Sequence, residues 1–575
     1  MRACLILLLV LSQSGATSGR PLPSEHSQDW GVYSGGPEST HYSSLTQINR
    51  DNVKNLKVAW TYDSGDAFPT SENECNPIIV GGVLYATTPK INVVALDAAT
   101  GTLLWRFDPN VGLRVVGKMR SRGVTYWSGG GQPNKKDERI FTTARQYLYS
   151  LDARTGKPVN SFGVSGRIDL RDDLGRDPEN WVTMTSPGIV YKDLLIIGSS
   201  MGEMLPASPG DIRAYDVRTG KLRWSFHTIP HPGEFGYETW PKNAWTYSGA
   251  ANDWTGLSLD EKRGWVFAAT GSAASDFYGA DRTGDDLFAN SVIALNADTG
   301  ERIWHFQTVR HDIWDRDLPA PPVLVTVNHN GQPVDAVAQT TKSGFVYLFD
   351  RETGAPLFPV EYKKYPKSDL EGEVTADTQP LPATPVPFAR QMLTSDMLTD
   401  RTPQAHAEVL AHFKQVRSNG QFVPGSREGT IIFPGFDGGA EWGGPAFDPE
   451  THLLYVNANE MAWILRMVEP KPLSGSVSGK SIYLHECSAC HGPALKGSPP
   501  EFPSLLGLRT RYADSEVSTL ISRGSGRMPG FARLGNEGIR AVVDYVYSGA
   551  ETHAKVNPSA GDAKFVSDGY NRFLD

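Results

Sequence analysis

Between residues 30 and 460 the chain alternates apolar and polar positions with a period of two. Gly82-Val83-Leu84-Tyr85-Ala86-Thr87 and Asp193-Leu194-Leu195-Ile196-Ile197-Gly198 are examples. This period predicts β-strands with one face turned to a core. Each such strand leads into a recurring tag. Ala95-Leu96-Asp97-Ala98-Ala99-Thr100-Gly101-Thr102-Leu103-Leu104-Trp105 returns with Ala214 to Trp224 and with Ala294 to Trp304. All three follow A-x-[DN]-x-x-T-G-x-x-x-W. Leu151-Asp152-Ala153-Arg154-Thr155-Gly156 and Phe349-Asp350-Arg351-Glu352-Thr353-Gly354 are weaker copies, and Phe447-Asp448-Pro449-Glu450-Thr451-His452 is a degenerate one.

The tag has a local physical reading. Asp or Asn ends one strand and caps a tight turn with its side chain. Thr-Gly supplies the left-handed position of that turn. The next strand then delivers a Trp able to pack between neighbouring sheets. Four-stranded units repeated in this way predict a mainly β fold arranged radially, a β-propeller, rather than a sandwich. Five tagged units and one degenerate unit are present. Two long spacers, 156–212 and 354–440, read as loops over one face, with a helix over Thr402 to Arg417.

After residue 474 the period changes. Gly479 to Ala489, Glu516 to Arg523 and Glu537 to Tyr547 read as helices, the last with Ile539, Val542, Val543 and Val546 on one face. The first of them carries Cys487-Ser488-Ala489-Cys490-His491, the C-x-x-C-H attachment signature of haem c. A disulfide or half a zinc site is the other reading, but no second Cys pair exists to complete a zinc tetrad. Met528, in Gly526-Arg527-Met528-Pro529-Gly530-Phe531, is the candidate second axial ligand beside His491. A His/Met pair raises the potential of haem iron and suits it to electron transfer.

Composition narrows the setting. Residues 1–19 join one Arg, the apolar run Leu5 to Leu11 and a small-residue stretch, which reads as a signal peptide for export to the periplasm. No stretch is long enough for a transmembrane helix. A formal charge of -9 without a basic run argues against nucleic acid as a partner. Cys75 is left over once the haem pair is counted, and reads as a small buried residue. At 575 residues, at least two domains are expected: a propeller over 28–470 and an all-α cytochrome c unit over 474–552.

The Trp-tagged repeat together with haem c resembles the quinoprotein (quinohaemoprotein) dehydrogenases. These are eight-bladed propellers that use pyrroloquinoline quinone (PQQ), and some carry a cytochrome c domain. The likeness is closest to the membrane glucose dehydrogenase-like branch. The resemblance implies that an alcohol or sugar hydroxyl is oxidised and that electrons leave through the haem to an external acceptor, a cytochrome or a quinone. In Arg310-His311-Asp312-Ile313-Trp314-Asp315 it makes Asp315 the catalytic base, expected to stay ionised beside a cation and a Lys. Lys342, in Thr341-Lys342-Ser343-Gly344-Phe345, would contact the quinone oxygens. Trp254, in Asn252-Asp253-Trp254, would form the floor under the flat ring. Glu74, Arg122, Thr185, Gly202 and Trp442 would be further cofactor contacts, Arg122 pairing a quinone carboxylate.

The resemblance also implies a calcium ion held by Glu203 and Asp315. The family's Asn ligand is replaced near Thr270-Gly271-Ser272, where Ser272 stands. Asp317 offers an added carboxylate of the sort a lanthanide takes, although related sugar enzymes also carry an Asp there. Residues 553–575 resemble the segment that re-enters the propeller. With six units in place of eight, the chain reads as truncated at its C-terminus. A decayed enzyme and a non-catalytic propeller scaffold are the competing readings.

Overall fold

The computed structural model describes residues 30–68, 71–111, 119–129, 137–176, 182–203, 205, 207–469, 473, 475–497, 502–524, 528, 530–556, 564–568 and 571–573. The stretch read as a signal peptide lies outside them.

Four antiparallel four-stranded meanders follow one another. Sheet 1 comprises Ile78–Val80, Val83–Thr87, Val93–Asp97 and Leu103–Phe107. Sheet 2 runs from Thr125–Gly129 to Arg167–Asp169, sheet 3 from Ile189–Tyr191 to Leu222–Phe226, and sheet 4 from Ser258–Asp260 to Arg302–Gln307. Sheet 5 has three strands, Val323–His329, Gln332–Thr340 and Val346–Asp350, and a bridge from Phe349 to Pro356 marks the place of a fourth. The degenerate copy opens a two-stranded pair, Ala446–Asp448 with Leu453–Tyr455. The architecture is a mainly β propeller followed by a small helical unit. The repeat periodicity marked the first five sheets; among the described residues the fifth has three strands and the sixth unit two, and the degenerate copy turns between a first and a second strand where the other tags join a third to a fourth.

The tags build the contacts between sheets. In sheet 1, Asp97 Oδ1 accepts from the N–H groups of Ala99 and Thr100 and from the Thr100 hydroxyl. Asp152, Asp216 and Asp350 close their turns the same way. Each tag Trp then crosses to the next turn. Trp105 Nε1 donates to Ala153 O at 2.9 Å, Trp224 to Ala297 O at 3.1 Å and Trp304 to Arg351 O at 2.9 Å. The receiving glycines have φ of +68°, +75° and +71° at Gly156, Gly300 and Gly354, and a Cβ on any of them would overlap the incoming indole. Sheet 2 lacks a tag Trp, and Phe162 and Ile168 lie against Gly220 in its place. Trp60 makes the same contact with sheet 1, donating to Ala98 O at 3.2 Å. No tag precedes Trp60, so the repeat pattern does not mark it.

Helix α1 (Pro403–Phe413) is capped by Thr402, whose side chain accepts from the Ala405 N–H. The helical unit contains α2 (Gly479–Glu486), α3 (Ser488–His491), α4 (Asp514–Arg523) and α5 (Gly535–Ser548), around a core that includes Ile482, Tyr483, Val517, Ile521, Ile539, Val542 and Val543. The helix expected over 479–489 is broken at Cys487, whose backbone (φ -120°, ψ -28°) leaves the helical region. Among the described residues no helix is long and apolar enough to cross a membrane.

Candidate active site and haem-binding turn

The expected cofactor residues fall at two kinds of position. Glu74, Arg122, Thr185, Trp254 and Trp442 each stand three or four residues ahead of the first strand of their unit. Glu203, Ser272 and Lys342 lie on connections between second and third strands. In an antiparallel meander these two kinds of segment share one end of the sheets, and the tag turns occupy the other. The repeat that makes the fold is thus separated in space from the chemistry.

At the site end, Lys342 Nζ lies 2.8 Å from Asp315 Oδ1 and 3.7 Å from Asp317 Oδ2. Asp317 also accepts from Trp254 Nε1 at 2.8 Å and from the Ser272 N–H at 2.6 Å. Asp315 and Lys342 are buried and Asp317 is half-buried. A fourth acidic group, Asp276, is 6% exposed and faces Glu203, Asp315 and Asp317. Met201 and Ala274, two residues before Glu203 and Asp276, share one apolar cluster, which sets those two segments side by side. Asp276 was missed in the sequence, where nothing but its spacing from Ser272 marks it.

The electrostatics depart from expectation. Burial pushes the Asp315 carboxyl well above its usual range; Lys342 opposes this, while Asp317 and Glu203 reinforce it. In the cation-free protein burial, with the neighbouring carboxylates added to it, outweighs the lowering by Lys342. Asp276 is likewise raised, by burial first and then by Glu203, Asp315 and Asp317. Asp317 goes the other way: burial would raise it, but Lys342 and the hydrogen bonds from Ser272 and Trp254 hold it below the usual value. Burial raises Glu441, next to Trp442, to about 7 against the pull of Lys342.

Arg122 forms the other wall. Its Nη1 donates to Thr185 Oγ1 at 3.0 Å, its Nη2 lies 3.0 Å from Glu74 Oε2, and its guanidinium sits 5.1 Å from the Trp254 ring centre and 4.8 Å from that of Trp442. Its buried Nε has no hydrogen-bond partner. Gly202 is buried beside Glu203. Ser272, where the resemblance expects an Asn ligand, points its hydroxyl elsewhere and donates to Asp312. Asp312 is the clasp of the Asp315 loop, accepting from Trp314 N at 2.9 Å, Arg316 N at 2.6 Å and Asn290 Nδ2 at 2.8 Å.

In the helical unit, the break at Cys487 lets α3 present Cys490 and His491 within one turn. His491 Nδ1 lies 3.0 Å from the Pro503 carbonyl, which fixes the ring and leaves Nε2 for a metal. Met528 packs against the same core as Cys487. Gly526, Arg527 and Pro529 lie outside the described residues. Cys75 makes no disulfide, and its Sγ accepts from the Thr87 N–H at 3.2 Å.

Residues 30–487 match the family described as PQQ glucose/ethanol/alcohol dehydrogenase, β-propeller domain, and residues 477–546 match cytochrome c oxidase, cbb3-type, subunit III. The chain belongs to the PQQ quinoprotein dehydrogenase family. It is 32% identical to quinoprotein glucose dehydrogenase A of Acinetobacter calcoaceticus, over 79% of this chain and 60% of the relative. It is also 32% identical to the quinate/shikimate dehydrogenase (quinone) of Acinetobacter baylyi, over 78% and 58%. Among solved structures, a quinohemoprotein alcohol dehydrogenase from Pseudomonas putida HK5 superposes with a TM-score of 0.58 at 26% identity, covering 77% of this chain and 58% of that one. The chain thus spans about three fifths of the length of the relatives it matches.

The donors present fit each of the three groups that the resemblance implies, a quinone, a cation and haem c. A buried, unpartnered guanidinium N–H at Arg122 suits an anionic ring substituent. Four carboxylates around one ammonium suit a hard cation. The turn at Cys487, Cys490 and His491 suits haem c.

Proposed function

We propose that this quinoprotein oxidises an alcohol or sugar hydroxyl and delivers the electrons through its haem c to an external acceptor, a cytochrome or a quinone, in the periplasm. The observation that carries this reading is the buried Lys342–Asp315 pair at 2.8 Å, beside Trp254 and Asp317. PQQ, when bound, supplies the two-electron acceptor. Arg122, Thr185, Glu74, Gly202, Trp254 and Trp442 would hold it.

Asp315 accepts the proton of the substrate hydroxyl at a carboxylate oxygen. It must be ionised to do so. In the protein alone, burial pushes its value upward and works against ionisation. A Ca2+ ion held by Glu203 and Asp315, with Asp276 supplying a carboxylate in lieu of the Asn that Ser272 replaces and Asp317 completing the set, would bring the added positive charge that ionises it. Lys342 then holds the charged carboxylate in place through its ammonium. The names of the relatives, glucose and quinate dehydrogenases, make a polyol-type hydroxyl the first substrate class to try.

The test is reconstitution of purified protein with PQQ and either Ca2+ or a trivalent lanthanide, assayed by dye reduction over a panel of sugars and alcohols. Turnover that depends on quinone and cation supports the reading. Quinone uptake with no turnover of any substrate would support the alternative of an incomplete or decayed enzyme. That alternative is favoured by one feature: the two-stranded sixth unit exposes Leu453 (52%) and Tyr455 (57%), which a neighbouring strand would otherwise cover.

A further inference from the structure

The connection leaving the outer strand of sheet 3 carries His227, His231 and Glu234. It lies at the same end of the sheets as the acidic site, but none of these three residues shares a contact with Asp315, Asp317 or Lys342 among those described. One donor atom from each lies within 4.8 Å of the others. His227 Nδ1 is 2.9 Å and 3.1 Å from the two Glu234 carboxylate oxygens. The two imidazoles stack with centres 3.8 Å apart and planes 13° apart, and His231 leans on Trp245 at 4.6 Å.

We propose that this turn is a binding site for one divalent d-block cation, Zn2+ or Cu2+, held by a ring nitrogen of each histidine and a Glu234 oxygen. Two imidazoles and a carboxylate form a donor set that such ions favour over Ca2+. The spacing suits it. A tetrahedral ion with bonds of about 2.1 Å sets its donors about 3.4 Å apart, so the Glu234–His227 pair at 2.9 Å opens by about half an ångström and the near-parallel rings turn out of their stack to bring both lone pairs onto the ion. Burial, together with the neighbouring His227, holds His231 below its usual value. Behind the pair lies the buried carboxyl of Asp211, which interacts with His227 and accepts from the Thr228 N–H at 3.3 Å. Arg176, which also acts on His231, is directed to the Ala207 and Ser248 carbonyls.

Turn closure alone does not account for the arrangement. Glu234 closes the turn by accepting from the His231 backbone N–H at 2.7 Å. That needs one oxygen and no imidazole. Both rings are partly exposed, so an ion can reach them from solvent.

The experiment is Zn2+ titration by calorimetry on the haem-containing protein in excess Ca2+, with Cys75→Ser as background to remove the free thiol, and Cu2+ loading read by electron paramagnetic resonance. We expect one Zn2+ per chain, unaffected by Ca2+, and a Cu2+ signal split by two imidazole nitrogens. His231→Ala, which keeps the backbone bond that closes the turn, should weaken Zn2+ binding on the order of tenfold or more and remove one nitrogen from the signal. Glu234→Gln should weaken it without removing a nitrogen. Failure of the protein to take up Zn2+, or equal stoichiometry and affinity in the wild type and His231→Ala with an unchanged melting temperature, overturns the proposal.

Discussion

Lys342 Nζ stands 2.8 Å from Asp315 Oδ1, and Asp315 holds that position with a left-handed backbone, φ +55°. A non-glycine residue rarely adopts this conformation unless its surroundings impose it. Here Asp312 does so by accepting the N–H groups on both sides, from Trp314 and Arg316. Base and clasp are thus separate residues of one loop. Asp315→Asn keeps the shape of the side chain and removes its basicity. It should lower kcat by about 10²- to 10⁴-fold in quinone-loaded protein, while quinone uptake, followed by absorbance titration, stays within about twofold. Equal turnover in the variant and wild type would remove Asp315 from the chemistry.

The crowding of Glu203, Asp276, Asp315 and Asp317 gives the cation-free protein a pH signature. Asp315 and Asp276 have folded-state values above their unfolded ones. The folded state therefore binds more protons, and stability declines as pH rises above the ordinary carboxylate range until the folded-state values are passed. Chelated protein should melt at a lower temperature near pH 8 than near pH 5, and Ca2+ should flatten that difference (about pH 5 to 8 is the window to scan). Asp276→Asn removes one of the raised carboxyls. It should lessen the slope in chelated protein and weaken Ca2+ binding, measured by calorimetry. A melting profile that does not respond to Ca2+ at any pH would refute a cation bound by this cluster.

What could be read from the sequence follows the range of the interactions. The tag is local chemistry: Asp97, Thr100 and Gly101 satisfy one another within a single turn, so the turns were legible residue by residue. Residues ahead of each first strand were legible through resemblance. Asp276 and Asp312 were not, because their roles depend on how the connections of sheet 4 and the Asp315 loop lie against each other. The cation-free electrostatics of Asp315 depend on the same layout. Lys342 could be read from the chain, but the burial and the neighbouring carboxyls that outweigh it could not.

Trp105 and Gly156 allow a clean test of the docking repeat. Gly156 combines a positive φ of +68° with an indole packed where its Cβ would go; Gly82 has φ +80° and open space around it. Alanine at Gly82 bears only the left-handed backbone cost, about 1–2 kcal/mol. Gly156→Ala adds displacement of Trp105 and of its hydrogen bond to Ala153, and should cost about 2 kcal/mol more by urea denaturation. Equal losses at the two sites would mean that the indole does not lock neighbouring sheets.

The haem turn predicts separable losses. Cys487→Ser with Cys490→Ser should abolish covalent haem, so that acidified acetone extracts it and no haem-staining band remains after denaturing electrophoresis. Met528→Ala should keep the covalent haem, since both thiols and His491 remain, but lower the midpoint potential, because a His/Met pair favours ferrous iron. Unchanged potential in Met528→Ala would assign the sixth position to another group.

His311 is a second pH-sensitive element, buried beneath the Asp315 loop. Its Nε2 lies 2.7 Å from Glu373 Oε1 and its Nδ1 3.3 Å from Asp286 Oδ2, while Arg282 pairs with the same Asp286. Burial alone would lower its value, but the two carboxylates outweigh burial and Arg282 and raise it to about 9. A raised histidine contributes its full stability below the unfolded value, about 6.5, and loses it as pH rises through 9. The shift corresponds to about 3 kcal/mol at most. His311→Gln should therefore lower the melting temperature strongly near pH 6 and progressively less toward alkaline pH, as the wild type also loses its buried cation. Because Glu373 and the Asp286–Arg282 pair anchor the segment that leads into Asp312, the same variant should slow turnover more than it alters substrate KM. Parallel melting profiles for wild type and variant across this range would show that His311 is neutral in the folded protein.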